Sequence, residues 1–224
     1  MQSRILKISL LTAALTLGVA AVAVGLVPVY ENEFSSKDKF RHIDKLSGGS
    51  SCTKFHEKSK RFGVAVDGGS TKCIFRTPVE GDRAGPDHEI EAKVKVNKST
   101  SSKIRNQVYG AVGVRAGKKV GYELRVFPQR ERWEVHQTPN SSGFPFKGTL
   151  KKINDVGKQN RLSLSAFGNR ITAKVNGTKV LSRVDKNAAR VSGRIATLVA
   201  ASEKKTNKTA RVTFDSVRVK VPNP

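Results

Sequence analysis

Two closely spaced segments carry the side chains best placed for chemistry. Tyr122, Leu124 and Val126 alternate with Glu123 and Arg125, and Trp133 and Val135 alternate with Arg132, Glu134 and His136. Alternate residues of a strand share one face. Paired side by side, the two segments would therefore gather Glu123, Arg125, Arg132, Glu134 and His136 into one polar surface. Two carboxylates, two guanidiniums and an imidazole could hold a hydroxyl-rich or anionic ligand. Trp133, in phase with Val135, is expected to pack into a core.

Other chemistries lack their residues. No Gly-x-Ser-x-Gly elbow exists for a serine hydrolase. The nearest approach to a phosphate loop, Gly113 to Lys119, is one residue short and has Lys where Ser or Thr must hold magnesium. Glycoside hydrolysis needs two carboxyls roughly 5–9 Å apart. Glu89 and Glu91 could share a strand face, but they read as a solvent-facing row, and no catalytic residue is assigned. The histidines (His42, His56, His88, His136) are isolated, and Cys52 and Cys73 with His56 supply too few ligands for a metal. Two cysteines in an exported domain are expected to be bridged.

The elements that must position these residues are strands. From Phe62 onward the apolar pattern has period two. Val64 and Val66 lead into Asp67-Gly68-Gly69-Ser70, a hairpin-type turn, then Cys73 and Phe75. Ile90, Ala92, Val94 and Val96 form the clearest strand, followed by Val112 and Val114. Leu162, Leu164 and Ala166 reach Gly168-Asn169, and Ile171, Ala173 and Val175 reach Asn176-Gly177, a strong type I′ hairpin signal. Ile195, Thr197 and Val199 make a further strand, and Val212, Phe214, Val217 and Val219 close the domain. About ten short strands without a helical period outside the N-terminus predict an antiparallel sandwich or barrel. Phe144, Pro145 and Phe146 form an apolar loop that could cover a sheet edge. Asn-x-Ser/Thr triplets start at Asn97, Asn140, Asn176 and Asn207.

Charge and hydropathy bound the setting. Lys and Arg number 42 against 18 acids, a net charge of +24. That balance suits a polyanionic partner or a basic solvated surface, and says nothing about fold. No zinc-finger spacing, basic helix or glycine-aromatic motif supports specific nucleic-acid recognition. Ile8 to Val29 is uncharged after Arg4 and Lys7. As a helix this run would rise about 33 Å at ~1.5 Å per residue, enough to span a bilayer. The expected organisation is a membrane anchor over 1–30, a tether over 31–51 and a domain over 52–224, placed outside the cytoplasm on a single-pass anchor. A signal peptide cleaved after Ala21-Val22-Ala23 is the alternative.

The strand series resembles a known family. Tyr109 to Arg115, Gly121 to Val126, Asn160 to Leu164, Ile171 to Gly177 and Phe214 to Val219 are similar to the concanavalin A-like lectin/glucanase domains, in their laminin-G-like and sugar-hydrolase-like bacterial branch. The resemblance implies a two-sheet antiparallel jelly roll with one concave face. It also implies a structural calcium near the chain ends in some members, where Asp215 stands in the matching strand. The Glu-x-Asp-x-Glu motif of the glucanases is absent; Glu89-Ile90-Glu91 runs on into Ala92 and Lys93. The expected function is a non-enzymatic module binding a glycan or a polyanionic surface polymer. A carbohydrate-active enzyme and a structural or protein-interaction domain are the alternatives.

Overall fold

The computed structural model describes residues 25–35, 43–57, 61–67, 72–78, 85–117, 121–138, 145–186, 193–205 and 207–223. The strands in chain order are β1 (Leu26–Asn32), β2 (Asp44–Ser47), β3 (Cys52–Glu57), β4 (Arg61–Val66), β5 (Lys72–Arg76), β6 (His88–Val96), β7 (Val108–Ala116) and β8 (Gly121–Phe127). They continue with β9 (Arg132–Thr138), β10 (Phe146–Thr149), β11 (Asn160–Phe167), β12 (Arg170–Val175), β13 (Thr178–Val184), β14 (Ile195–Ser202) and β15 (Ala210–Pro222). Two antiparallel sheets result. The eight-stranded sheet runs β13-β12-β11-β6-β15-β4-β3, with β1 also on β15, and the seven-stranded sheet runs β10-β9-β8-β7-β14-β5-β2.

The period-two pattern produces this sandwich directly, because each strand turns one apolar row toward the facing sheet. Ile90, Ala92, Val94 and Val96 of β6, Val112 and Val114 of β7, and Tyr122, Leu124 and Val126 of β8 all enter one core. Close approach of the sheets needs a small residue at Gly110, where a Cβ would lie 2.2 Å from Val94 Cγ1. Phe62 is the aromatic hub. Its ring centroid lies 5.6 Å from Phe34, 5.4 Å from Phe75 and 5.9 Å from Phe214, so four chain segments meet on it. Trp133 packs against the core as expected, its ring lying over Gly148 of the neighbouring edge strand.

The hairpins at Gly168-Asn169 and Asn176-Gly177 are present. Both residues of the second have positive φ, 50° and 80°, which a type I′ turn demands. Asn176 is also held by its side chain, accepting Arg161 N–H at 2.7 Å and donating to Lys152 O at 2.6 Å. The change of phase in the last strand has its cause in a β-bulge between Phe214 and Ser216. One extra residue flips the parity, so Val212 and Phe214 before it and Val217 and Val219 after it all face inward.

Four expectations are corrected. Leu26 to Pro28 pair with Lys220 to Pro222 of β15, so the N-terminal apolar run ends as a strand rather than as helix up to Val29. Residues 8–24 of that run lie outside the described residues, among which no helix is long and apolar enough to cross a membrane. The stretch expected as a tether contributes β2 and the fully buried Phe34 and Ile43. At Phe34 the chain bends inward (φ 51°), and its N–H donates to Asn32 Oδ1 at 2.7 Å. β4 and β5 are not a hairpin, since they lie in opposite sheets. On β14 the inward row is Ala196, Leu198 and Ala200, while Val199 lies on the outer face in a second apolar cluster with Tyr109, Ala111, Phe127 and Ala201.

Cys52 and Cys73 are bridged, with Cα atoms 5.7 Å apart. The bond joins β3 of one sheet to β5 of the other, and so ties the sheets together rather than fastening a tether. A second lock closes the opposite end. His88 is fully buried and accepts the Arg115 N–H at Nε2 (3.2 Å), while Arg115 reaches Pro86 O, Asp87 and Gly168 O.

Replacing both Cys52 and Cys73 by Ser should lower unfolding free energy by about 2–5 kcal/mol, read from urea midpoints. Burial lowers His88 from 6.5 to about 4. The unfolded chain therefore binds a proton that the folded chain refuses between these values. Stability contributed by neutral His88 is fully present above pH 6.5 and lost as pH falls toward 4. The urea midpoint of wild type should drop across that window, and His88→Gln should flatten the drop.

Candidate functional site

On β8 and β9 the five expected residues do come together. The register sets Glu123 opposite His136, Arg125 opposite Glu134 and Phe127 opposite Arg132, all on the face turned away from the core. Arg125 Nε donates to Glu123 Oε1 at 2.6 Å, and Lys72 of β5 reaches Glu123 Oε2 at 2.5 Å. His136 Nε2 lies 2.7 Å from Glu134 Oε2 and 3.1 Å from Arg125 Nη1. Arg132 lies 3.2 Å from Glu134 and also pairs with Glu203, which Arg130 contacts at 3.0 Å. The floor is apolar: Tyr109 and Phe127 have ring centroids 4.9 Å apart, with Arg125 over the first and Arg132 over the second.

The consequence is a face whose charges answer one another. Glu123 is only 7% exposed. Burial would raise its pKa, but Lys72 and Arg125 more than offset this and hold it below the ordinary carboxylate range. Glu134 is likewise opposed by burial and held low by His136 and Arg132. A glycosidase needs one carboxyl kept protonated, and neither fits. Burial raises the Tyr109 hydroxyl, which stays protonated. Lys72, Arg130 and Glu203 were not legible as members of this network, because β5 and the 128–130 and 203 turns reach it only through strand order.

Glu89 and Glu91 sit on the outer face of the other sheet. Lys220 bridges them at 3.4 and 3.3 Å. Burial raises Glu89; Glu91, opposed by burial, is lowered by Arg161 and Lys220. Lys220 thus spans the pair, which makes it an ion-paired row rather than two carboxyls flanking an open gap.

Beside this pair lies a groove of about 570 Å³ that no sequence pattern marked. It opens where β15 passes from pairing with β4 to pairing with β1, at the bulge of Asp215 and Ser216. Glu31, Glu33 and Ser35 form one wall, Glu91 and Lys93 of β6 with Arg161 of β11 another, and Asp215 to Arg218 the floor. Arg218 pairs with Glu31, and Arg161 with Glu91 at 3.1 Å. The side chains of Glu33, Ser35, Lys93 and Ser216 make no hydrogen bond or ion pair with another described residue. The volume suits a small ligand, and the lining suits hydroxyl groups, which donate to carboxylates and accept from Lys and Arg. The Asp215 oxygens accept from Arg61 at 2.9 Å and from Gln159 at 2.8 Å. Among the described residues no three His, Cys, Asp or Glu groups could hold a metal.

Glu123→Ala should strand Lys72 and Arg125 without their counter-charge. Breaking a buried pair costs about 3–5 kcal/mol, and the partial exposure of Lys72 places this case at the low end, on the order of 3 kcal/mol. Chemical denaturation of the variant measures it.

No family model matches the chain, and no curated protein matches it. Solved structures do. The carbohydrate-binding module CBM66 from Bacillus subtilis aligns with a TM-score of 0.55 at 16% identity, covering 80% of this chain and 95% of that one. A Bacillus subtilis protein of unknown function with a galectin-like fold gives 0.60 at 9% identity, covering 88% and 97%. The laminarinase catalytic domain from Thermotoga maritima gives 0.59 at 11% identity, covering 89% and 99%. At these identities the likeness speaks for the fold alone, a two-sheet antiparallel jelly roll of the kind seen in those structures.

Proposed function

We propose that the chain is a non-catalytic glycan-binding module that takes its ligand in the groove at the β15 bulge. The observation that carries this reading is the contrast between the two outer faces. Binding at the β8–β9 face would require breaking ion pairs already made. The groove presents Glu33, Lys93, Ser35 and Ser216 with their hydrogen-bonding capacity unspent. The fold is shared with a carbohydrate-binding module and with laminarinase and transglycosylase domains, which supports a sugar as ligand. Among the described residues, Glu123 and Glu134 are both held ionised and Glu89 and Glu91 are bridged by Lys220, which supports binding over hydrolysis.

Display outside the cytoplasm belongs to the same proposal. It rests on the apolar run from Ile8 to Gly25 behind Arg4 and Lys7, and on a disulfide that an oxidising compartment would preserve. A single-pass anchor is preferred to a cleaved signal. The face of Glu123, Arg125, Arg132, Glu134 and His136 is the second reading for the binding site, favoured by its cross-strand clustering.

A glycan array probed with the protein should return a restricted set of ligands. Glu33→Ala with Lys93→Ala should weaken binding of the best one at least tenfold, about 1.4 kcal/mol, with unchanged thermal stability. Arg125→Ala with Arg132→Ala should bind normally despite lower stability. The reverse pattern would move the site to the β8–β9 face. Release of new reducing ends from a bound glycan would replace the binding reading with an enzymatic one.

A further inference from the structure

The net charge of +24 is not spread evenly over the fold, because the acids are used up on particular bases. Glu123, Glu134 and Glu203 answer Lys72, Arg125, Arg130 and Arg132 on one sheet. Glu31, Glu57, Glu89, Glu91 and Asp215 answer Arg218, Arg61, Lys95, Lys220 and Arg161 on the other. Of the exposed bases without an ion-pair partner, seven share one end of the fold. Lys98 and Lys103 lie between β6 and β7, Lys151, Lys152 and Lys158 between β10 and β11, and Lys204 and Lys205 between β14 and β15. All are exposed, and none has an ion-pair partner among the described residues.

The register brings these three connections to one end of the sandwich. Asn160 is opposite Val94, Val212 opposite Val96 and Ser202 opposite Val108, so β6 ends there and β7, β11 and β15 begin there. The connections also touch. Gly157 N–H donates to Val96 O at 2.8 Å, and Lys98 lies so close over Gly157 that an added Cβ would meet its Cγ at 2.6 Å. Glu203 N–H donates to Gln107 O at 2.9 Å, and the Thr100 hydroxyl donates to Arg211 O at 3.2 Å. The seven lysines thus stand on a hydrogen-bonded platform, where Asp67, Glu131, Asp155 and Glu203 are the exposed acids, Glu203 being paired with Arg130 and Arg132.

We infer that this end of the sandwich is a docking surface for an anionic polysaccharide, a chain carrying repeated carboxylate, sulfate or phosphate groups. The topology favours such a polymer over the lipid headgroups of an anchoring membrane. Chain entry at Leu26 is opposite Pro222, at the far end of the 13-residue β15, about 40 Å away at ~3.3 Å per residue. A membrane held at Leu26 would lie far beyond the Debye length of ~8 Å at 0.15 M salt. The lysine end would face outward, into whatever polymer surrounds the cell. The seven lysines spread over three connections rather than lining a duplex-width groove, and a flexible charged chain can reach them in succession. This surface is separate from the β15 groove, and the choice of its occupant rests on the proposed anchoring through the N-terminal run.

The test uses the full-length chain in detergent, with polygalacturonate as probe. Wild type should bind with an affinity that falls steeply with salt, because each contact releases counterions. Lys98→Gln, Lys151→Gln, Lys152→Gln and Lys158→Gln together should weaken binding at least tenfold at 0.15 M salt. They should also reduce the slope of log K against log salt by about 3, at ~0.7 per contact. A control of equal charge change, Lys147→Gln, Arg170→Gln, Arg183→Gln and Lys186→Gln, should retain most of the binding, as should the Glu33→Ala, Lys93→Ala groove variant. Equal losses in the two fourfold variants would reduce the effect to net charge and overturn the surface. A fourfold loss larger on phosphatidylglycerol vesicles or on duplex DNA than on polygalacturonate would overturn the polysaccharide assignment.

Discussion

Everything in this molecule depends on β15 being held on both sides at once. One flank pairs with β6 along nearly its whole length, and the other pairs first with β4 and then with β1. Both β4 and β1 are brought from the first third of the chain to its last strand, a long-range closure whose entropy cost must be met by burial. The burial is supplied at Phe62, where Phe34, Phe75 and Phe214 converge from the turn after β1, from β5 and from β15. The Cys52–Cys73 bridge fastens the same region across the two sheets.

The fork of β15 explains why a groove exists at all. A strand with one partner per side leaves no gap, whereas a strand that changes partner must leave one at the exchange. The bulge at Phe214 and Ser216 coincides with that exchange and lets Phe214 and Val217 both stay inside. The polar residues between them, Asp215 and Ser216, are thereby turned to the groove. The fold requirement and the candidate binding site are two results of one local irregularity.

Electrostatics divides the surface into regions of different use. On the seven-stranded sheet, carboxylates and guanidiniums are interleaved closely enough that each acid has two basic partners, and the network stiffens the sheet over an apolar floor. On the eight-stranded sheet the same interleaving stops short at the groove. Beyond the strands, in the connections at one end, lysines outnumber the acids. A chain with 42 bases and 18 acids cannot pair them all, and the remainder is exposed where the backbone is most open to solvent.

Period-two alternation in β6, β7, β8, β9, β11 and β12 is a property of neighbouring residues, so the sequence alone determined the strands, their inward faces and the Asn176-Gly177 hairpin. Parity also placed Glu123, Arg125, Arg132, Glu134 and His136 on one side of two adjacent strands, and their meeting follows once β8 and β9 pair. The bridge between Cys52 and Cys73 was determined by there being only two cysteines. What they join was decided by tertiary structure, because a turn at Asp67 is equally compatible with a hairpin and with a crossing between sheets. Short strands such as β2 and β3 have polar outer rows and little apolar signal of their own, and they exist because a buried neighbour offers unpaired backbone groups. Leu26 to Pro28 read as membrane-spanning by hydropathy, yet they pair with β15. The groove and the lysine end were beyond reach for the same physical reason. Each gathers residues over a hundred positions apart, and only the order of strands in a closed sandwich decides which distant side chains become neighbours.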